Sequence, residues 1–261
     1  EFSILFISLG LLFFQGFSHD APALAPDCLN NPPTTNGSSG AGHVEKLGSL
    51  NTYVTGSNHS KRAILLASDV FGYATPHIRL IADKAAAAGF FAVVPDFFHG
   101  DPYVAGNASR LIPAWLKDHA PEMGFEDAEK VIGDLKLKGF SQIGAAGFCW
   151  GAKAAIDLSK SGFIQAAMVL HPSHITLDDA KEVKVPFAIL GAALDGQYPP
   201  KVLKQYEEVL KANTKIDSFV KVFPNVKHGW TLKYNDTDDV AVKAANEAHR
   251  DLVKWFSKQL K

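Results

Sequence analysis

The sequence predicts an α/β fold with a mainly parallel central sheet and helices on both faces. Two observations carry this. Short continuous apolar runs, such as RAILLAS at residues 62–68 and FFAVVP at 90–95, have the length and composition of strands buried on both sides. Between them lie segments whose apolar residues recur at helical spacing, and strands that alternate with helices need crossovers, hence parallel pairing.

Residues 44–55 form the first strand-like run and 62–68 the second. Ile78, Ile81, Ala85 and Ala88 then repeat as one face of a helix, and Gly89 ends it ahead of FFAVVP. A helix over about residues 125–138 precedes the strand QIGAAG at 142–147, and another helix begins at Trp150. QAAMVLH at 165–171 and VPFAILGA at 185–192 are further strands. Pro199 and Pro200 open a helix with Val202, Tyr206, Val209 and Leu210 on one face. The strand SFVKVFP at 218–224 follows, and a long helix runs from Asp236 to the end. Residues 97–122 show no period that fixes their course, and no internal repeat is visible.

A chain of 261 residues, 47% apolar and 20% charged, suits one such domain with a single large core. The net charge of −1 and the lack of a dense Lys/Arg cluster leave nothing to attract nucleic acid or anionic lipid, so a neutral or small ligand is expected. FSILFISLGLLFFQGFS at residues 2–18 reads as the apolar region of a secretory signal. Residues 1–25 are therefore expected to be a signal region with an incomplete start, 26–43 an irregular arm, and 44–261 the α/β domain. Sequons at Asn36, Asn58, Asn107 and Asn235 agree with secretion, and no membrane association is expected after signal removal. Cys28 lies in the arm and Cys149 at a strand-to-helix turn, contexts that argue against their pairing.

The stretch Gly147-Phe148-Cys149-Trp150-Gly151 has the outline of a G-x-S-x-G nucleophile elbow with cysteine in place of serine. Taken alone, Cys149 reads as a buried inert thiol, Asp195 as a turn residue before Gly196, and His228 as a loop histidine. Taken together, all three follow predicted strands, where ligands of parallel sheets bind. Their order, nucleophile then acid then histidine, is that of α/β-hydrolases. A thiol at the head of a helix meets the positive end of the dipole and exposed N–H groups, which favour the thiolate. His228 would take its proton and Asp195 would orient the imidazole. The N–H of Trp150, next in the elbow, and that of Val70, in the loop SDVFG, are the expected oxyanion donors.

LLASDVFG, AAAGFFAVVPDFFHGD, AAGFCWGAK, LGAALD and KHGWT together resemble the dienelactone hydrolase family, most of all its plant members. The likeness runs from about Val44 to the C-terminus. It implies the α/β-hydrolase fold, a Cys-His-Asp triad at Cys149, His228 and Asp195, no cofactor and no metal, and hydrolysis of small esters, thioesters or lactones. In bacterial members a glutamate interacts with the thiol, where this chain has the shorter Asp69. Bacterial members also bind a substrate carboxylate with arginines; Arg79 and Arg110 sit in no matching motif and read as surface residues.

Plant members are often labelled endo-1,3;1,4-β-D-glucanases, so a polysaccharide is the alternative substrate. Glycosidases mostly use paired carboxylates, and Asp69, Asp96, Asp101 and Asp195 are the candidates. Trp150, Trp230, Phe97, Phe98 and Tyr103 are the aromatics that could stack on sugars. Asp96 and Asp101 also read as turn residues and the aromatics as core or pocket lining. His99, His171 and His174 have no metal-ligand spacing and are expected at the pocket rim or on loop carbonyls. A secreted binding protein without turnover is the third reading, and the oligomeric state is left open.

Overall fold

The computed structural model describes residues 40–261, with Pro32 ahead of them. The expected signal region, Cys28, Asn36 and most of the arm lie outside the described residues. The strands are β1 (His43–Leu47), β2 (Leu50–Thr55), β3 (Arg62–Ala67), β4 (Phe91–Pro95), β5 (Gln142–Phe148), β6 (Ala166–Leu170), β7 (Phe187–Ala192) and β8 (Ser218–Phe223). They form one eight-stranded sheet in the order β1-β2-β4-β3-β5-β6-β7-β8. All pairs from β4 to β8 are parallel; β1 and β2 form an antiparallel edge.

The run read as one strand over residues 44–55 is thus a hairpin. Gly48 and Ser49 both take positive φ, 55° and 69°, as the tight turn of a two-residue hairpin requires. A serine there hides the turn from a sequence reading.

The helices are α1 (Pro76–Ala87), α2 (Ile112–Asp118), α3 (Met123–Leu137), α4 (Gly151–Lys160), α5 (Leu177–Lys181), α6 (Pro200–Ala212) and α7 (Asp239–Gln259). Side chains alternate across the sheet, so each strand feeds two cores. Ile64, Leu66, Ala146 and Phe148 meet Ile78 and Ile81 of α1 and Leu252, Trp255 and Phe256 of α7 on one side. Leu65, Ile143 and Ala145 meet Val131 and Leu135 of α3, Ile156 of α4 and Leu203 of α6 on the other. Each such fully buried Leu, Ile or Phe contributes about 1.5–3 kcal/mol of transfer free energy.

Some boundaries and faces differ from expectation. Helix α6 buries Leu203, Tyr206 and Leu210, with Val202 and Val209 only partly covered. Helix α7 begins at Asp239 instead of Asp236, because the Asp238 carboxylate caps it, accepting from the N–H groups of Val240 at 3.0 Å and Ala241 at 3.1 Å.

The chain turns from β3 to β4 on one side and later enters β5 on the other side of β3. The carboxyl ends of β3 and β5 therefore flank a topological switch point, where this class of sheet opens a crevice.

Candidate active site

At the end of β5 a single residue, Cys149, separates the strand from Trp150, which caps α4. Its φ is +50°, a conformation that costs a non-glycine residue of order 1–3 kcal/mol and persists only where the surroundings enforce it. They do so through backbone bonds. Cys149 donates its N–H to Leu170 at 3.2 Å, and its carbonyl accepts from Ser173 and Ala152, each at 3.1 Å. The flanking glycines leave no alternative: a Cβ on Gly147 would lie 2.2 Å from the Gly151 oxygen, and one on Gly151 2.2 Å from the Ala67 oxygen.

Asp195 follows β7 and His228 follows β8. The imidazole Nδ1 lies 2.7 Å from Asp195 Oδ2, and both side chains are fully buried. The other carboxylate oxygen accepts from the N–H groups of Gln197 at 2.8 Å and Tyr198 at 3.2 Å. Burial would raise the Asp195 pKa, but the hydrogen bond and charge of His228, with those two N–H groups, hold it below the usual carboxylate range. Burial would lower His228; the charge and hydrogen bond of Cys149 and the hydrogen bond of Asp195 outweigh it and raise the imidazole to about 9. The three side chains form one connected set.

The N–H groups of Val70 and Trp150 have no acceptor among the described residues. Two donors left open at the mouths of β3 and β5 suit an incoming oxyanion. Beside them Asp69 is 1% exposed; its Oδ1 accepts from the Phe71 N–H at 3.1 Å and its Oδ2 has no hydrogen-bond partner among the described residues. It makes no hydrogen bond to Cys149. Burial raises the Asp69 carboxyl, against the opposing pull of Lys233, the Phe71 N–H and His228.

His171, another positive-φ residue, packs edge-on against His228 with centroids 5.1 Å apart and against Trp230 at 5.3 Å. Its Nε2 lies 2.7 Å from the Thr231 hydroxyl, and burial pushes its pKa well below the usual range. It is a neutral backing for the catalytic-type imidazole. His174 keeps a buried Nε2 without a partner among the described residues. The His99 side chain is 62% exposed and pairs with Asp127 of α3 at 2.9 Å, a carboxylate instead of a loop carbonyl.

Cys149 is fully buried, and Phe97, Phe98, Tyr103 and Trp150 belong to the core. A cavity of about 540 Å³ lined by Trp230, Lys233 and Tyr234 passes His228, whose imidazole is itself fully buried. Arg79 spends its guanidinium on Tyr53 and Tyr73, and Arg110 on Asp101 and Asp118. The cation near the site is Lys233, 7% exposed and an electrostatic partner of Asp69. Sequence reasoning missed it, along with Ser173, whose hydroxyl lies 3.6 Å from the Cys149 sulfur, and Gln197. Lone polar residues in loops carry no period; only their closeness to His228, His171 and Asp195 in the chain pointed to them. Among the described residues no group of His, Cys, Asp or Glu is placed to hold a metal ion.

Comparison with known proteins agrees with this architecture. A maize protein named endo-1,3;1,4-beta-D-glucanase is 41% identical over 72% of this chain, which spans only 63% of the maize protein's length. A Homo sapiens carboxymethylenebutenolidase homolog is 28% identical over 85% of this chain and 92% of its own. The crystal structure of a putative dienelactone hydrolase from Klebsiella pneumoniae superposes with a TM-score of 0.64 at 18% identity, covering 80% of this chain and 92% of that one. The fold they share is that of the α/β-hydrolases. Since residues 50–260 match the dienelactone hydrolase family along nearly the whole described domain, the chain belongs to that family of hydrolases.

Proposed function

We propose that this hydrolase cleaves small esters, thioesters or lactones through a covalent acyl-enzyme on Cys149. The observation that carries the reading is His228 held between Asp195, at 2.7 Å, and the sulfur of Cys149. The thiol proton passes to His228 Nε2, and the thiolate attacks the carbonyl carbon. The resulting oxyanion accepts from the Val70 and Trp150 N–H groups. Collapse breaks the bond to the leaving oxygen or sulfur, which takes the proton from His228. Water then gives a proton to His228 and attacks the thioester, and the thiolate departs from the second tetrahedral intermediate. Asp195 keeps Nδ1 protonated throughout, so that Nε2 is the nitrogen that exchanges protons.

The carboxymethylenebutenolidase name of the human relative supports a lactone as substrate. The name of the maize relative favours glucan instead. Glycosidic cleavage mostly calls for two carboxylates across the scissile bond, and here the carboxylates have other partners. Asp195 holds His228, Asp101 holds Arg110 and His119, Asp96 closes its own turn onto the Phe98 N–H, and Asp69 is buried. Phe97, Phe98, Tyr103 and Trp150 are likewise committed to the core. The ester reading is therefore preferred.

Export is part of the proposal. The sequons at Asn58, Asn107 and Asn235 are all exposed, which supports it.

One panel of aryl esters, lactones and mixed-linkage β-glucan, run on the parent and on Cys149→Ala, tests the reading. Ester or lactone hydrolysis should fall at least about a thousandfold in the variant. Retained ester hydrolysis would remove Cys149 from the mechanism; glucan cleavage indifferent to the substitution would support the maize name.

A further inference from the structure

Two polar side chains complete a closed circuit with the proposed catalytic set. Ser173, fully buried, is fixed beside the elbow by its own N–H, which donates to the Cys149 carbonyl at 3.1 Å. Its hydroxyl lies 3.6 Å from the Cys149 sulfur and donates to Gln197 Oε1 at 3.3 Å. The Gln197 N–H in turn donates to Asp195 at 2.8 Å. Asp195 holds His228, and His228 returns to the sulfur. The nucleophile is thus met from two sides, by an imidazole and by a hydroxyl, both anchored on the same carboxylate.

A serine hydroxyl has one proton to donate. With the thiol protonated, S–H donates to His228 Nε2 and the Ser173 hydroxyl donates to the Gln197 carbonyl. Once the thiol proton has moved to His228 Nε2, the sulfur is an anion that only accepts. The hydroxyl proton then has a stronger acceptor on the other side. Gln197 allows the change because an amide presents both ends: rotating it replaces the carbonyl by N–H, which donates to the oxygen that has just turned away. A glutamate would not allow this, because an ionised carboxylate accepts and never donates.

We propose that Ser173, oriented by Gln197, is a second hydrogen-bond donor to the Cys149 thiolate, and that this chain of hydrogen bonds reverses direction when the thiol ionises. The inference rests on Cys149 being the nucleophile, and it adds a group in contact with the reacting sulfur and a positioning residue behind it. Ser173 stabilises the thiolate before substrate arrives. It lets go when the sulfur becomes a neutral thioester, and Gln197 resets the hydroxyl at each turnover.

The test is the pH dependence of Cys149 alkylation by iodoacetamide in the full chain, read at that residue by peptide mass spectrometry. Losing one hydrogen bond to a charged sulfur should slow alkylation of Ser173→Ala at neutral pH by about tenfold and move the profile to higher pH. Gln197→Glu, at a half-buried position that tolerates the change, should move it the same way because the carboxylate keeps the hydroxyl proton. Near-ultraviolet circular dichroism should be unchanged in both. Profiles of both variants superimposable on that of the parent would overturn the proposal. The two levels separate cleanly: ester hydrolysis surviving Cys149→Ala defeats the nucleophile itself, whereas hydrolysis lost in Cys149→Ala with unmoved alkylation profiles defeats only the Ser173 donor.

Discussion

The elbow at residues 147–151 and the segment at 97–122 lie against each other but are held in place by different means. The elbow is fixed by backbone: strand β5 ends, two glycines admit no side chain, and Cys149 is bonded to β6 and to the loop after it. The segment is fixed by side chains. Trp115 of α2 packs edge-on to Phe98 with centroids 4.8 Å apart, and Phe98 packs on Trp150 at the same distance. Trp115 Nε1 donates to the Asp101 carbonyl and Trp150 Nε1 to the His119 carbonyl, each at 2.9 Å. Outside, Asp101 pairs with Arg110 and His119. Backbone geometry admits no adjustment, whereas a cluster of rings and surface ion pairs can shift. The residues of the proposed chemistry therefore sit on the rigid part.

The sharpest test of the rigid part is Asp195→Asn. The amide oxygen keeps the Gln197 and Tyr198 bonds, so its NH₂ faces His228 Nδ1. The imidazole must then carry its proton on Nε2, the nitrogen that should receive the thiol proton. The expected loss in kcat is about 10³–10⁴-fold with an intact fold. The substitution also removes an interaction that raises His228, so its titration, followed by NMR, should fall from about 9. The sign for stability follows: a group raised in the folded state stabilises fully below its unfolded pKa of about 6.5, and that contribution fades as pH rises through about 9. The parent should lose stability over that interval and Asp195→Asn should lose less. Equal activity in the two proteins would break the link between acid and imidazole.

Next in size is Gly151→Ala. Its Cβ would fall 2.2 Å from the Ala67 carbonyl oxygen, in backbone that cannot rotate away. Overpacking of this kind costs about 1–3 kcal/mol and sometimes more. Urea denaturation should give a lower midpoint with an unchanged slope. A neutral result would mean that β3 and α4 can separate, and the elbow would be no more rigid than the segment over it.

How legible each region is in the sequence follows from the same contrast. Buried parallel strands are apolar runs, and the elbow is a glycine pattern at a strand end, so Cys149, Asp195 and His228 are legible as candidates, and the structure leaves the N–H groups of Val70 and Trp150 without an acceptor among the described residues. Helices α2 and α5 escaped notice because seven and five residues are too few to show a period. The hairpin turn at Gly48 and Ser49 was hidden by a serine in a glycine's conformation, at φ 69°. The Ser173 hydroxyl and the Lys233 ammonium matter through partners distant in the chain, Cys149 and Gln197 for the one and Asp69 for the other. Such long-range contacts leave no local trace.

The smallest effect should come from the segment itself, in Trp115→Phe. The ring stays near Phe98 and Tyr103, but the Asp101 carbonyl loses the indole donor it has at 2.9 Å. One neutral hydrogen bond contributes about 1 kcal/mol, so stability should drop by that order. The informative readout is elsewhere. If residues 97–122 govern access to the fully buried sulfur, the looser packing should raise the rate of Cys149 alkylation a few-fold at every pH, leaving the shape of its pH profile unchanged. Raised KM with an unaltered kcat would point the same way, since the groups that exchange protons do not touch Trp115. An alkylation rate equal to the parent's would place the path to Cys149 on another side, such as the cavity beside His228, Trp230 and Lys233.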